Sequence, residues 1–470
     1  MSEATYTISD VSMKSSPFDK ITELSILRQV NEHVKLSIGG IIPEEKLDQY
    51  IEQIDENESI EVFVTEDQRE IVLFKGVITN IAVQVDRNVR TMIIEACSKT
   101  FLMDIKKESR SFQNSQQSYS DVLSEITQSF PQADVVDSAS NGASIGGLLV
   151  QYRETSWEFA KRLASHFHMP LLPISNLDGI KYYVGLSESG QPVELNEYNY
   201  TISNNMKEFK QITENSDGQY SGRSNFSFKV ASNKILEVGC PVKFRDHELY
   251  VYRAETVIEK GILVNHYQLC DTEGFQCHKQ HNNAIIGSSL FGKITALAKD
   301  KVKLHLQIDD KHTESQAMWF SYSTVYSSPD GSGWYCMPEM GDEVRLYFPD
   351  GEEKNAFAAS SVDLDSSDTT KRSDPSVKSI STKYGKQIVF QPGAVEIIGN
   401  GQTLLRLTDD GGIEIKSDKK IVITAVDDIE ITGGAKVLIQ GDEGVDLKQA
   451  DTVLTIKDEV ALTGSKVNIR

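Results

Sequence analysis

The sequence has little positive charge, few cysteines and no long apolar segment. Its 48 lysines and arginines face 69 aspartates and glutamates, and the net charge of −21 argues against binding nucleic acid or an anionic membrane. Five scattered cysteines suit a reducing compartment better than a disulfide framework. No apolar run approaches the roughly 18 residues of a membrane span. The N-terminal residues MSEATYTISD lack the basic and apolar regions of a secretory signal, so we expect assembly in the cytoplasm.

Signatures of catalysis are also missing from the sequence. It contains no Gly-x-Ser-x-Gly, His-Glu-x-x-His or Walker sequence. Its many carboxylates fall in segments that read as solvated strands and turns. We therefore predict that the protein is not an enzyme, assign no catalytic residue and expect no cofactor.

The C-terminal part of the chain has a repeat of eight residues. Aliphatic residues recur in pairs at positions i and i+2, and turn-forming residues such as Gly433-Gly434 follow each pair. Because eight is even, every strand should present the same face, which is typical of a solenoid. The phase extends back to Val389 and forward through Val453. The paired positions are Ile413, Ile415, Ile421, Ile423, Ile429, Ile431, Val437, Ile439, Val445 and Leu447.

One chain cannot stabilise such a repeat alone. Two aliphatic side chains per octad do not offset the backbone entropy lost when eight residues are ordered. A single thin prism would also leave its strand edges unpaired. Three identical chains related by a threefold axis would supply both the core and the missing hydrogen bonds. We therefore predict that the ten paired residues form the core of a trimer.

The remainder of the chain divides into three predicted parts. Residues 1–285 read as strands with inserted helices, residues 286–362 as a small barrel and residues 363–384 as a serine-rich connector before the octads of 385–470. A helix is predicted around residues 43–54, with Leu47, Tyr50, Ile51 and Ile54 on one face. Two more helices, near 118–130 and 156–168, each begin with a capping box, at Ser118 and at Thr155.

Two segments carry a resemblance to a known family. The segment VQYRETSWEFAKRLASHFHMPLL (150–172) resembles a motif of the VgrG proteins, the hub-spikes of type VI secretion and contractile phage tails. The segment MPEMGDEVRLYFPDGEEKNAFAASSV (337–362) is similar to the same family's OB-fold barrel. The matching residues of the first segment are Gln151, Tyr152, Glu154, Thr155, Trp157, Phe159, Arg162 and Leu163.

The resemblance implies a mainly β protein with two hub β-barrel domains, an OB-fold collar and a triple-stranded β-helix formed by a trimer. It implies a central hub and spike that adapts a sixfold tail tube to a threefold, membrane-puncturing needle. The implied partners are an Hcp-like tube protein, baseplate proteins, a PAAR-type tip protein and a cargo effector. Two alternatives stay open: a spike carrying a cell-envelope hydrolase, and a free-standing trimeric adhesin.

Three further groups of residues are candidate sites. His266, Cys270, Cys277, His278 and His281 lie close in sequence but lack the usual paired spacing of zinc ligands, so ordinary strand and loop roles are favoured and metal binding stays open. His166 and His168 are expected to be a surface pair at a helix end. The C-terminal residues contain no histidine, which favours a separate tip protein bound by Val467, Asn468, Ile469 and Arg470.

Overall fold

The computed structural model of the protein divides into two compact units, residues 1–364 and 365–470. It describes residues 5–43, 59–66, 69–87, 89–187, 190–204, 226–311, 313–363, 372–400, 403–463 and 465–466. The helix predicted around residues 43–54 and the tip residues 467–470 lie outside the described residues. None of the described helices is long and apolar enough to cross a membrane. Both units are built mainly of β-strands.

The first unit contains 22 described strands and two α-helices. Up to the first helix, the strands are β1 Val11–Met13, β2 Lys20–Gln29, β3 Lys35–Ile41, β4 Ser59–Glu66, β5 Arg69–Asp86, β6 Val89–Ser98 and β7 Lys107–Phe112. Helix α1 Tyr119–Gln128 is followed by β8 Asp134–Asp137 and β9 Leu149–Thr155, and α2 is Ser156–Ser165. Next come β10 Leu171–Ile174, β11 Lys181–Val184, β12 Val193–Leu195, β13 Tyr200–Asn204, β14 Phe226–Ser232, β15 Pro241–Phe244, β16 His247–Glu259 and β17 Ile262–Cys270. The last five are β18 Ser289–Ala298, β19 Lys301–Leu306, β20 Trp319–Ser323, β21 Glu343–Tyr347 and β22 Phe357–Val362.

Two halves of one sheet stand where two hub barrels were predicted. The strand order β1-β4-β5-β6-β3-β2 continues directly into β16-β17-β14-β13, and β15 joins β16 to β12. The halves meet where β2 pairs antiparallel with β16, from Gln29 opposite Arg253 to Ser25 opposite Val257. Each half has its own apolar core, because alternate residues of its strands face inward. The two predicted subdomains therefore share hydrogen bonds, and each has a largely separate core, although Leu263 of β17 belongs to the core of the first half.

Arg28 ties the two halves together at this junction. Its guanidinium is buried and donates to Thr256 Oγ1 at 3.1 Å and to the carbonyl oxygen of Leu73. Nε of Arg28 lies 3.2 Å from a carboxylate oxygen of Glu237. A buried guanidinium needs such partners because its desolvation is costly. The junction is therefore held by side-chain contacts as well as by the strand ladder.

For residues 1–285, which we call the hub, the helix predictions that fall on described residues agree with the structure except at one helix end. Strands β5 and β6 form a hairpin, with Asp86 opposite Val89. Both capping boxes are formed, at Ser118 before α1 and at Thr155 before α2. Helix α2 ends at Ser165, earlier than the predicted 168. The helices pack over the sheet β10-β11-β8 around a third core.

The collar barrel, which we define as strands β18 to β22, is closed in the order β18-β19-β20-β22-β21. Its core contains Val302, Leu304 and Leu306, which alternate along β19 with more exposed residues. Strand β19 ends at Leu306, and Ile308 follows in a turn. Strands β21 and β22 are joined through a turn at Asp350-Gly351.

The second unit contains two antiparallel sheets. The first has five strands in sequence order, β23 Lys378–Ser381, β24 Gln387–Gln391, β25 Ala394–Ile398, β26 Leu404–Thr408 and β27 Gly412–Lys416. The second has three, β28 Val445–Gln449, β29 Thr452–Ile456 and β30 Val460–Thr463. Residues 417–444, all of which are described, contain no regular strand. Strand β23 begins within the segment predicted to be a connector.

Candidate functional site

Strand β9 divides its side chains between two cores. Val150 and the preceding Leu148 are buried in the core of the collar barrel, and Tyr152 packs against it. Leu149 is buried in the helical core of the hub instead. Successive residues of a strand point to opposite faces, so one strand can serve both. The segment singled out from the sequence is therefore the place where hub and collar share a core.

Trp157 fastens the start of α2 to the large sheet. Its indole is buried, and Nε1 donates to the carbonyl oxygen of Asn31 at 3.3 Å. The side chain of Asn31 accepts a hydrogen bond from Leu171 N, and Asn31 has a positive φ of 64° in the turn after β2. Asparagine tolerates this conformation better than most residues. Asn31 was not identified from the sequence, because nothing in the pattern around it points to Trp157.

Arg162 joins α2 to both β9 and the collar barrel. Nε and Nη2 each lie 2.9 Å from a carboxylate oxygen of Glu154, and Nη2 also donates to the carbonyl oxygen of Val150. Nη1 donates to Oε1 of Glu353, which lies in the turn between β21 and β22. The guanidinium and both carboxylates are largely shielded from solvent. Planar, bidentate pairing of this kind fixes geometry as well as charge.

Gln151 completes this buried network. Its side-chain oxygen accepts from Arg110 Nε at 2.7 Å, and its Nε2 donates to the carbonyl oxygen of Glu154. Because Gln151 is fully buried, each of these bonds satisfies a group that water cannot reach. The sequence motif is thus a set of packing and hydrogen-bonding residues, and sequence reasoning missed its partners Arg110 and Glu353.

The histidines after α2 are not a surface pair, which corrects the prediction. Both are half-buried: His166 Nδ1 lies 2.9 Å from the hydroxyl of Tyr119, and His168 Nδ1 lies 3.0 Å from the carbonyl oxygen of Cys277. Burial, reinforced by the positive charge of Arg162, lowers the pKa of His166 to about 3. The helix ends at Ser165, so the histidine-bearing turn folds back over the hub.

The histidines His266 and His281 of the group near residue 270 have different carboxylate partners. His266 pairs with Glu259 at 2.9 Å on the surface, and His281 lies 3.6 Å from Glu352. Burial raises the pKa of the Cys277 thiol to about 11 and raises that of Cys270 as well, which disfavours the thiolate that a metal binds. Within the ranges that the structure describes, no three His, Cys, Asp or Glu side chains are grouped to hold a metal ion.

One arrangement in the hub has the order of a catalytic triad. His33 Nδ1 lies 2.9 Å from Thr100 Oγ1, and its Nε2 lies 3.2 Å from Asp104 Oδ2. Thr100, in the position of the nucleophile, is fully buried. Asp104 also accepts from Thr155, the N-cap of α2. Because the Thr100 hydroxyl is buried, no substrate can reach it. The bond from Thr155 to Asp104 instead holds the start of α2 in place.

Two of the predicted trimer-core residues, Ile413 and Ile415, lie on an uncovered aliphatic face of the second unit. Across the five-stranded sheet, Ile380, Ile388, Ile397, Leu405 and Ile415 stand opposite one another in a row. A second row on the same face consists of Phe390, Val395, Leu407 and Ile413. Ile413 is 71% exposed and Ile415 is 63% exposed. Ile421, Ile423, Ile429, Ile431, Val437, Ile439 and Leu447 are exposed as well, and Val445 is half-buried.

The opposite face of this sheet is polar. Arg406 pairs with Glu396 at 2.7 Å and with Glu414 at 3.5 Å across three neighbouring strands. Val389 stands opposite Glu396 and so lies on this second face, which corrects its predicted phase. The reason is the two-residue turn after Gln391, which places Ile388, not Val389, opposite Ile397. Val453 likewise stands opposite Lys448, away from the face of Val445 and Leu447.

Two family profiles match separate parts of the chain. The Type VI secretion system/phage-baseplate injector OB domain matches residues 292–362, and the Alg8 N-terminal domain matches residues 57–172. The first match coincides with the closed barrel of strands β18 to β22. A comparison with curated proteins gives no match.

Several solved structures have a similar fold at low sequence identity. The E. coli c3393 protein, described as a component of the type VI secretion system similar to the T4 tail proteins gp27 and gp5, is 12% identical with a TM-score of 0.54. The alignment covers 75% of this chain and 99% of that one. A chain of the half-lidded Francisella PdpA-VgrG complex is 9% identical with a TM-score of 0.55, and the alignment covers 86% of this chain and 87% of that one.

At these identities the structures establish the fold, and the barrel profile agrees with it independently. The closed barrel, the large sheet and the β9–α2 junction all lie within unit 1. The chain therefore has a mainly β, VgrG-like fold similar to that of these type VI secretion and phage tail proteins, and residues 292–362 match the injector OB domain.

Proposed function

We propose that the protein is the homotrimeric central hub and spike of a contractile injection machine. The observation that carries this proposal is the uncovered aliphatic face of the second unit. A sheet with two aliphatic rows on one face and the Glu396–Arg406–Glu414 ladder on the other has one face for a core and one for water. Exposed apolar patches of this kind mark interaction sites.

A trimer of identical chains can cover this aliphatic face without any other protein. A threefold axis brings three identical aliphatic faces together and leaves three polar faces outside. Residues 417–444 contain no regular strand in the single chain. In the trimer, the octads of this segment would form strands that hydrogen-bond to the other two chains. Arg406 and Glu414 of the polar ladder would keep their contact with solvent, whereas Glu396 is already buried in the single chain and is paired with Arg406.

The hub is proposed to transmit thrust to the spike. Leu148 and Val150 share the collar core, and Arg162 bonds to Glu353, so the helical part of the hub and the collar would move as one body. Two sheet halves per chain, each with its own core, would give a trimer six similar units facing a sixfold tail tube. An Hcp-like tube protein, baseplate proteins, a PAAR-type tip protein and a cargo effector are the proposed partners, and contraction would expel the spike toward a target envelope.

Sedimentation of the purified full chain tests the assembly. We expect a species near three times the chain mass of 52.4 kDa at micromolar concentration. A folded monomer under these conditions would refute the trimer. A PAAR-type protein added to the trimer should bind through the C-terminal residues 467–470, and a chain ending at Lys466 should not bind it.

The proposed action is mechanical and not enzymatic. Incubation of the pure trimer with bacterial cell wall tests this against the hydrolase alternative. Release of muropeptides would refute the mechanical proposal. Binding of the isolated protein to intact cells through glycans would favour the adhesin instead.

A further inference from the structure

The loop between β20 and β21 is an aromatic hairpin, residues 324–337, which we name the tongue. Trp334 N donates to the carbonyl oxygen of Tyr326 at 2.8 Å, and Ser328 N donates to that of Ser332 at 2.9 Å. Ser327 and Gly333 form an antiparallel bridge, and Asp330 accepts two bonds from Ser332 in the turn. The hydroxyl of Tyr335 donates to the carbonyl oxygen of Lys299 in the turn between β18 and β19. The tongue therefore has a defined shape.

Both sides of the tongue are apolar and uncovered. Tyr326 stands opposite Trp334, and both are more than half exposed. Their neighbours Val325 and Tyr335, which alternate to the other side, are 90% and 75% exposed. A two-stranded hairpin is at best marginally stable in water, and large aromatic side chains gain most from burial. Such a hairpin is expected to be covered when the protein is at work.

The topology places the tongue at one particular end of the collar barrel. Strand β20 runs parallel to β22, with Ser323 opposite Ala359. The tongue thus starts beside the end of β22, and it returns at Glu343, which stands opposite Val362. Strand β22 is the last strand of unit 1. The tongue therefore projects from the end of the barrel at which β22 ends.

Charge points to a second copy of the same chain as the partner. Each chain carries a net charge of −21, so two copies repel each other except through patches with few acidic residues. The tongue has one charged residue, Asp330, among its fourteen positions. In the proposed trimer, every tongue has two further copies of the collar barrel in the same particle.

We infer that the tongue of each protomer packs against the collar barrel of the next protomer, so that a trimer contains a ring of three such contacts, which we call clasps. This inference rests on the proposed trimer. The aromatic side chains Tyr326, Trp334 and Tyr335 are the anchors of the contact. Residues of these types dominate the binding energy of protein interfaces when they are fully desolvated. The contact would hold the collars together independently of the octads.

Photo-crosslinking in the full-length protein tests the contact. The amino acid p-benzoylphenylalanine replaces Tyr335, and the matched control carries it at Tyr198, which is 90% exposed in the hub. We expect crosslinked dimers and trimers from position 335, with the second attachment point in residues 286–362, and at least tenfold less from position 198. Attachment only within the same chain, or to the octads, would overturn the inference.

Sedimentation of the same samples separates the two proposals. A trimer without crosslinks at position 335 refutes the clasp and leaves the trimer standing, whereas a folded monomer refutes both. A second variant, Tyr326→Ser with Trp334→Ser, is compared with Tyr198→Ser. We expect at least tenfold faster proteolytic cleavage within residues 324–341 while the octads keep the trimer intact. Unchanged cleavage would count against the clasp.

Discussion

Arg162 lies 2.8 Å from Glu353, and this ion pair joins the second helix of the hub to the collar barrel. The same guanidinium pairs with Glu154 at the end of β9. One buried cation thus holds two carboxylates from two parts of the chain. The arrangement links the hub to the collar barrel, and its removal should destabilise this boundary.

Replacing Arg162 with Met should destabilise the first unit strongly. The substitution leaves Glu154 and Glu353 shielded from solvent without a cation, which typically costs about 3–5 kcal/mol. The control is Lys279→Met, which removes the more exposed Lys279–Glu352 pair across the same boundary and should cost about 1 kcal/mol or less. Urea unfolding of both variants measures the difference. Equal losses would mean that the buried pair does not hold the boundary.

Ile413 and Glu414 are neighbours on β27, and their side chains lie on opposite faces of the sheet. Both are exposed in the single chain, so an isolated chain should tolerate Ile413→Ser and Glu414→Ser equally. In a trimer that buries the aliphatic face, Ile413→Ser should cost on the order of 2–4 kcal/mol per chain. Glu414→Ser should cost about 1 kcal/mol or less, since it removes one exposed ion pair. Melting of the two trimers decides this, and similar melting temperatures would contradict the proposed core.

His166 should make the first unit sensitive to acid. Its pKa falls from the ordinary value of 6.5 to about 3 in the folded protein, so the unfolded chain binds a proton first as the pH drops. Its contribution to the free energy of unfolding is therefore complete above pH 6.5 and is lost between pH 6.5 and 3. The loss is up to about 1.4 kcal/mol per pH unit.

Chemical denaturation at several pH values measures this effect. In His166→Gln the dependence on pH should become shallower, because the titrating group is gone. His266→Gln, which alters an exposed histidine paired with Glu259, is the matched control for replacing a histidine. If the two variants behave alike, His166 is not the responsible group.

The octad itself can be tested by deletion. Removing Val437–Gly444 joins Lys436 to Val445 and preserves the facing of every later strand, so the trimer should lose only modest stability. Removing Val437–Glu443 deletes seven residues and gives Asp446 and Lys448 the parity of Val445 and Leu447. Three chains would then bury those charges around one axis, which is costly without partners.

Limited proteolysis and melting temperature compare the two deletions. The seven-residue deletion should become protease-sensitive beyond Lys436, while the eight-residue deletion should remain resistant. Equal damage from both would mean that the eight-residue period has no structural role.

Local chemistry determined much of this protein. Ser118–Asp121 and Thr155–Glu158 form capping boxes because each pair is complete within four residues. The alternation of Val302, Leu304 and Leu306 fixes the inward face of β19 in the same way. The eight-residue period likewise puts Ile397, Leu405 and Ile413 on one face, since the turn between β25 and β26 and the turn between β26 and β27 preserve parity.

Tertiary structure decided what depends on residues far apart in the chain. Val389 lies on the face opposite to the predicted one, because the two-residue turn after Gln391 sets the register of β24 against β25. The eight-residue period does not specify the length of that turn. His166 became half-buried because the chain folds back after Ser165. Glu353 met Arg162 across 191 positions, and Arg28 met Thr256 across 228, where only the joining of β2 to β16 brings the partners together. The sequence period predicts which face of a strand a side chain occupies. Its partner from a distant part of the chain depends on how the strands and helices pack together.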